Sequence, residues 1–209
     1  MTLDEAKLEV VLSERLATPV KTAAAREPLP AAALTDRESD RLLKFESASR
    51  RVEWLTGRAA LKRLLAVLGE DEDTSKIDFP CARISLTHSG DCALAVASLA
   101  PSRGIGVDLE RYRDVHPGVA RFFLNDKERC WWSEMDESER SRELLRLWTV
   151  KEALFKSHPY NHDTMLADYA VENPAQHTGR ARLDGAKAAT LRYASLIFPD
   201  AMLSAAMCF

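Results

Sequence analysis

A change of period along the chain constrains its fold more than any other feature. Over residues 49–68 the apolar positions recur on one helical face, with Leu61, Leu64, Leu65 and Leu68 spaced by three and four. Gly69 is a natural stop for that helix. From Arg83 the spacing drops to two: Arg83-Ile84-Ser85-Leu86 alternates, residues 92–99 form a short buried strand, and 104–109 form a third. Thr87-His88-Ser89-Gly90-Asp91 and the segment 101–103 have turn composition. Short strands joined by short turns predict a mostly antiparallel sheet.

The same order then repeats. Phe122, Phe123, Trp131 and Trp132 lie in a broken helical region. A strong helix follows over 144–157, with Leu144, Leu147, Trp148, Leu154 and Phe155 on its apolar side. Strands are predicted at 181–183, 191–198 and 201–208. The first helix of the chain is predicted at Thr35-Asp36-Arg37-Glu38, which matches a capping box. The polar stretch Gly69–Ser75, with four consecutive acids, reads as an exposed loop. The expectation is an α+β fold in two similar halves, 1–104 and 105–209.

Composition narrows the function classes. The chain has 209 residues, 46% of them hydrophobic, so it can bury a core without a metal or disulfide staple. A net charge of −3 argues against a dedicated nucleic-acid binder. The longest nearly uncharged stretch, 92–102, is too short to span a bilayer. The mixed-charge N-terminus lacks the apolar segment of a signal peptide. Cys81, Cys92, Cys130 and Cys208 show no metal-binding or redox spacing, so free buried thiols in a reducing, cytoplasmic setting are expected.

Four segments could carry chemistry. In Gly106-Val107-Asp108-Leu109-Glu110, Asp108 and Glu110 share one face of a strand. Two such carboxylates repel unless a cation or proton intervenes, and Mg2+ is a natural partner; the plain alternative is a strand end running into solvent. In Trp148-Thr149-Val150-Lys151-Glu152-Ala153-Leu154-Phe155-Lys156, Glu152 and Lys156 share a helix face. They form either a structural ion pair or, with Lys151, part of a phosphate-handling site. Arg50, Arg51, Arg58, Lys62 and Arg63 are offset by the single acid Glu53, a local net charge of +4 (five minus one). Guanidinium forks match phosphate geometry, although a solvated helix face would look the same. His88, beside Thr87, Ser89 and Gly90, could approach a phosphate; the other four histidines read as structural.

In this order the four segments resemble the Sfp-type 4′-phosphopantetheinyl transferases, over about residues 34–157. GIGVDLE is similar to the family's G-(I/V)-D-x-E segment, and WTVKEALFK to its W-(S/T)-x-K-E-(A/S)-x-x-K helix. LTHSG resembles its S-H-S turn with Thr87 in place of a serine, and RRVEWLTGRAALKRLL its Arg…G-R helix. The resemblance implies two pseudo-symmetric α+β halves with the active site in the cleft between them. It implies Mg2+ on Asp108, Glu110 and Glu152, with coenzyme A as donor substrate lying across both halves. Arg50, Arg58 and His88 would meet phosphates, and Lys151 and Lys156 the pyrophosphate. Catalysis would fall to Glu152, Lys156 and Asp108, with Glu128 in indirect support. The implied partner is an apo acyl or peptidyl carrier protein, and a monomer is expected.

One departure stands out. The family's Gly-Lys-Pro-like segment is replaced here by GEDEDTSKIDFPCARISLTH, in which Lys76 is the available substitute. Two other readings therefore stand beside transfer: a coenzyme A-binding homologue with weak or lost turnover, and a Mg2+-dependent hydrolase of coenzyme A or another nucleotide diphosphate.

Overall fold

A computed structural model describes residues 4–183 and 188–209. It is α+β, built on two antiparallel sheets. The chain opens with α1 (Glu5–Leu16), capped by the Asp4 side chain, and β1 (Val20–Ala25). The predicted capping box follows, with Thr35 and Glu38 each accepting from the other's backbone N–H, and starts α2 (Asp36–Leu43). It is the second helix of the chain, not the first. Helix α3 (Ala48–Leu68) ends as predicted at Gly69, which has φ +69°.

Strands β2 (Ile84–Ser89), β3 (Cys92–Ser98) and β4 (Gly104–Arg111) form the meander. The turn is shorter than expected. Thr87, His88 and Ser89 belong to β2 and pair with Leu94, Ala93 and Cys92, which leaves only Gly90 and Asp91 to reverse the chain. The broken helical region is α4 (Ala120–Phe123) and α5 (Asp126–Ser133). Helix α6 (Glu137–Ser157) starts seven residues earlier than the apolar pattern suggested, because its first two turns are polar and exposed. Strands β5 (Tyr169–Val171), β6 (Thr178–Leu183), β7 (Ala189–Ile197) and β8 (Ala201–Cys208) complete the chain.

The first sheet has the order β1-β3-β2 and the second β4-β8-β7-β6-β5. Each is covered by one 21-residue helix. Ala60, Leu61, Leu64 and Leu65 of α3 pack on Ala93, Ala95 and Ala97. Val150, Ala153 and Leu154 of α6 pack on Leu191, Tyr193 and Ala206. The opposite faces of both sheets bury one common core. Leu94 and Val96 enter it from the first sheet, Val107, Leu203 and Met207 from the second, and Leu8, Leu12 and Leu16 from α1. The strands before Gly104 belong to the first sheet and those from Gly104 onward to the second, while the central core draws on both.

The sheets meet along β2 and β4 through side chains. Ser85, Thr87 and Ser89 point the same way along β2. Their hydroxyl oxygens accept the backbone N–H groups of Val107, Leu109 and Arg111, each at 3.0 Å. A sequence with hydroxyls at every second residue is what lets a strand edge be satisfied without another strand.

Among the described residues no helix is long and apolar enough to cross a membrane. The four cysteines are free; Cys92 and Cys208 are buried, but Cys130 is exposed because it lies on the outer side of the short α5.

Candidate active site

The second half contributes a carboxylate cluster, placed by two glycines. Gly104, Gly106, Asp108 and Glu110 lie on one face of β4. Helix α6 crosses that face so closely that a Cβ at Gly104 would overlap the carbonyl oxygen of Ser157, and one at Gly106 that of Ala153. Where the glycines end, the helix offers Glu152 and Lys156. The intervening residues Ile105, Val107 and Leu109 go into the central core.

Asp108 is 6% exposed. Its Oδ1 accepts from Lys156 Nζ at 2.6 Å and from the Thr87 hydroxyl at 3.4 Å. Its Oδ2 is buried and has no hydrogen-bond partner. Burial pushes the Glu152 carboxyl above its ordinary range; Lys156 opposes this, and Asp108 and Glu110 add to it. Lys156 therefore bonds Asp108, not the Glu152 expected from helix spacing. Glu110 is only partly exposed and lies 3.4 Å from Arg113.

Asp108, Glu110 and Glu152 are the three candidate metal ligands. They fit a divalent ion in two respects: an unfilled buried carboxylate oxygen on Asp108, and a Glu152 carboxyl whose charge Asp108 and Glu110 disfavour. Among the described residues no three acids, histidines or cysteines are gathered into a metal cage. An ion there would be held as Mg2+ commonly is, by one or two carboxylates with substrate oxygens and waters completing the shell.

The first half contributes Arg50, Arg58 and His88. With Glu53, Trp54 and Phe45 they line a cavity of about 160 Å³. Arg58 is 7% exposed, lies 5.0 Å from the Trp54 ring centre and donates to Thr74. Its Nε has no partner. Burial, with Arg41 nearby, pushes its pKa down to about 10. His88 and Glu53 also line a larger cleft of about 700 Å³ that reaches Glu110. The cleft therefore joins the histidine strand of one half to the carboxylate strand of the other.

Several candidates are placed elsewhere. Lys151 is completely buried on the far side of α6, where its Nζ meets both Glu128 carboxylate oxygens and the Tyr169 carbonyl at 2.5–2.8 Å. It sits one residue, about 100°, around the helix from Glu152, which turns it away from the carboxylate cluster. Glu128 is equally buried, and it also accepts from the backbone of Asn125 and Val171. Lys62 pairs with Glu38, Arg63 with Glu5, and Arg51 donates to the Phe45 carbonyl. The +4 cluster thus divides around the helix. Lys76, the substitute lysine, is exposed and bound to Asp71 at 2.5 Å. Of the aromatics at 122–132, Phe122 is exposed, whereas Phe123, Trp131 and Trp132 pack into a core with Leu144 and Leu147.

Glu53 and Trp54 were not candidates from sequence, although Trp54 and Arg58 at helical i, i+4 spacing are a legible signal. Thr87 was noted only as a replaced serine. Its double role, tying β2 to β4 and touching Asp108, needs the tertiary fold.

Residues 104–200 match the family model described as the 4′-phosphopantetheinyl transferase superfamily. The chain is 26% identical over 147 residues to the 4′-phosphopantetheinyl transferase ffp of Bacillus subtilis, covering 59% of this chain and 64% of that protein. It is 25% identical over 81 residues to the 4′-phosphopantetheinyl transferase gsp of Aneurinibacillus migulanus, covering 39% of this chain and 32% of that protein. The chain thus spans less than two thirds of the length of either relative. The matched region begins at β4 and takes in α6, the two elements that carry Asp108, Glu110, Glu152 and Lys156, and over it this chain is similar to the 4′-phosphopantetheinyl transferase superfamily.

Proposed function

We propose that this chain transfers the 4′-phosphopantetheine arm of coenzyme A to a serine of an apo acyl or peptidyl carrier protein, as a monomer with Mg2+. The reading treats residues 1–104 and 105–209 as half-domains that share the reaction. The observation that carries it is Asp108. One of its oxygens is bound by Lys156, the other is buried and unfilled, and Glu152 lies within its field. Such a site is short of positive charge and suits a metal-bound diphosphate.

Each residue then has a task. Lys156 fixes the Asp108 carboxylate in place and leaves Oδ2 free. Arg50, Arg58 and His88 bind phosphate in the 160 Å³ cavity, which shares His88 and Glu53 with the cleft. Mg2+, when held by one or two of the carboxylates of Asp108, Glu110 and Glu152, would neutralise the diphosphate and its leaving oxygen. The serine oxygen forms a bond to the β-phosphorus. The bond from that phosphorus to the bridging oxygen breaks, and adenosine 3′,5′-bisphosphate leaves. Glu152 accepts the serine proton directly or through water. Most of the acceleration comes from positioning and charge neutralisation.

Incubation with coenzyme A, Mg2+ and a panel of apo carrier proteins tests this by mass spectrometry. The expected result is a carrier mass gain equal to the phosphopantetheine arm. Glu152→Gln should lower the rate by roughly 100-fold or more, the scale of lost general-base catalysis. Asp108→Ala should weaken the Mg2+ dependence more than coenzyme A binding. Adenosine bisphosphate released without carrier modification would overturn transfer in favour of hydrolysis.

A further inference from the structure

Glu53 lies between Arg50 and His88. Its two carboxylate oxygens accept from Arg50 at 3.3–3.4 Å, and Oε1 also contacts His88 Nε2. It lines both the 160 Å³ cavity and the 700 Å³ cleft, so it forms part of the wall between them. A carboxylate shared by a guanidinium and an imidazole occupies the place of a bound phosphate oxygen pair.

The surroundings show that one carboxylate does not satisfy this cavity. Arg58 is more than nine-tenths buried, and its Nε is unpartnered. Glu38, the acid whose charge acts on Arg58, is already bound by Lys62 and Thr74. The Glu53 contacts, by contrast, are exchangeable. Arg50 and His88 are 69% and 45% exposed at their side chains, and ion pairs this open are weak.

The geometry points to Glu53 as a resident competitor, a carboxylate that a ligand's phosphomonoester must displace from Arg50 and His88. This rests on coenzyme A being the donor. The reacting diphosphate must then lie at Asp108 and Glu152, which leaves the coenzyme's 3′-phosphate for the Arg50 and His88 end. A phosphomonoester carries between one and two negative charges at neutral pH, against one for the carboxylate. Glu53 thereby sets a threshold: a dianionic phosphate replaces it, and a neutral ribose hydroxyl leaves it in place. Glu53 becomes the residue that determines selectivity for coenzyme A over dephospho-coenzyme A.

Calorimetric titration of the whole chain tests this with coenzyme A, dephospho-coenzyme A and inorganic phosphate, on wild type, Glu53→Gln, Glu53→Ala and Arg50→Ala. Both Glu53 variants should bind coenzyme A and inorganic phosphate more tightly, by roughly tenfold if the competitor is in place about 90% of the time. Dephospho-coenzyme A affinity should not change, and Arg50→Ala should weaken coenzyme A and inorganic phosphate but not dephospho-coenzyme A. A fall in coenzyme A affinity in Glu53→Gln would show that Glu53 orients the cations for the ligand, and would overturn the inference. An equal gain for dephospho-coenzyme A would reduce it to general charge repulsion and overturn it too. Carrier modification is a separate readout. Its absence, with the phosphate gain intact, would remove the transferase reading and leave the competitor standing.

Discussion

Lys151, Glu152 and Lys156 show how much a single helical position decides. All three lie in one motif, and their types suggest one phosphate-handling group. The structure separates them by direction around α6. Lys156 reaches Asp108, whereas Lys151 is enclosed with Glu128 and the Tyr169 carbonyl. Burial pushes the Lys151 ammonium downward, and the Glu128 charge and hydrogen bond oppose that shift. Lys151→Ala would leave the Glu128 carboxylate buried beside only neutral donors. It should cost about 3–5 kcal/mol in denaturant unfolding, as breaking a buried ion pair does, while the folded fraction keeps its coenzyme A affinity. Unchanged stability with weakened coenzyme A binding would instead put Lys151 on the ligand. The carboxylates were legible as residue types. Which lysine served them was not, because sequence gives adjacency and not the packing partner on each side.

At the scale of elements, the site depends on how closely α6 lies against β4. Gly104 and Gly106 permit backbone contact with Ser157 and Ala153, and that contact sets Glu152 and Lys156 above Asp108 and Glu110. Gly106→Ala should push the helix off the strand. Forced overpacking of this kind typically costs about 1–3 kcal/mol, and the rate of carrier modification should fall further than the lost folded fraction explains. Chemical denaturation read alongside the transfer rate checks both. The helices α3 and α6 and the strands β3, β4, β7 and β8 were visible as periodicity, since each buries a full face. Helix α1 was missed although Leu8, Leu12 and Leu16 repeat every four residues after the cap Asp4. Its mean hydropathy is low because its other faces are charged. Strand β1, Val20–Ala25, is half alanine and has too little apolar contrast to announce itself. Thr87-His88-Ser89 read as a turn because serine, threonine and histidine favour turns by composition; pairing with β3 overrode that preference.

The whole molecule couples the two halves more tightly than a division at residue 104 suggests. Val20, Leu94 and Val96 from one side share a core with Ile105, Val107, Leu203 and Met207 from the other, and α1 lies among them. A fragment of residues 1–103 would expose that face of its sheet and leave the β2 hydroxyls without β4. It should therefore lack a cooperative unfolding transition and dispersed amide resonances; a folded, monomeric fragment would refute this. Such coupling also holds the cleft, since His88 is on β2 and Glu110 on β4. The sequence by itself determined the α+β class, the antiparallel strands and the acids at 108, 110 and 152, because periodicity and side-chain chemistry are local properties of the chain. Only the tertiary structure decided that the +4 cluster divides, that Lys151 turns inward, that Cys130 faces outward, and that Glu53 holds Arg50 and His88. Those outcomes depend on which groups meet across distant elements, and a charged side chain takes its role from the partner that reaches it once water is removed.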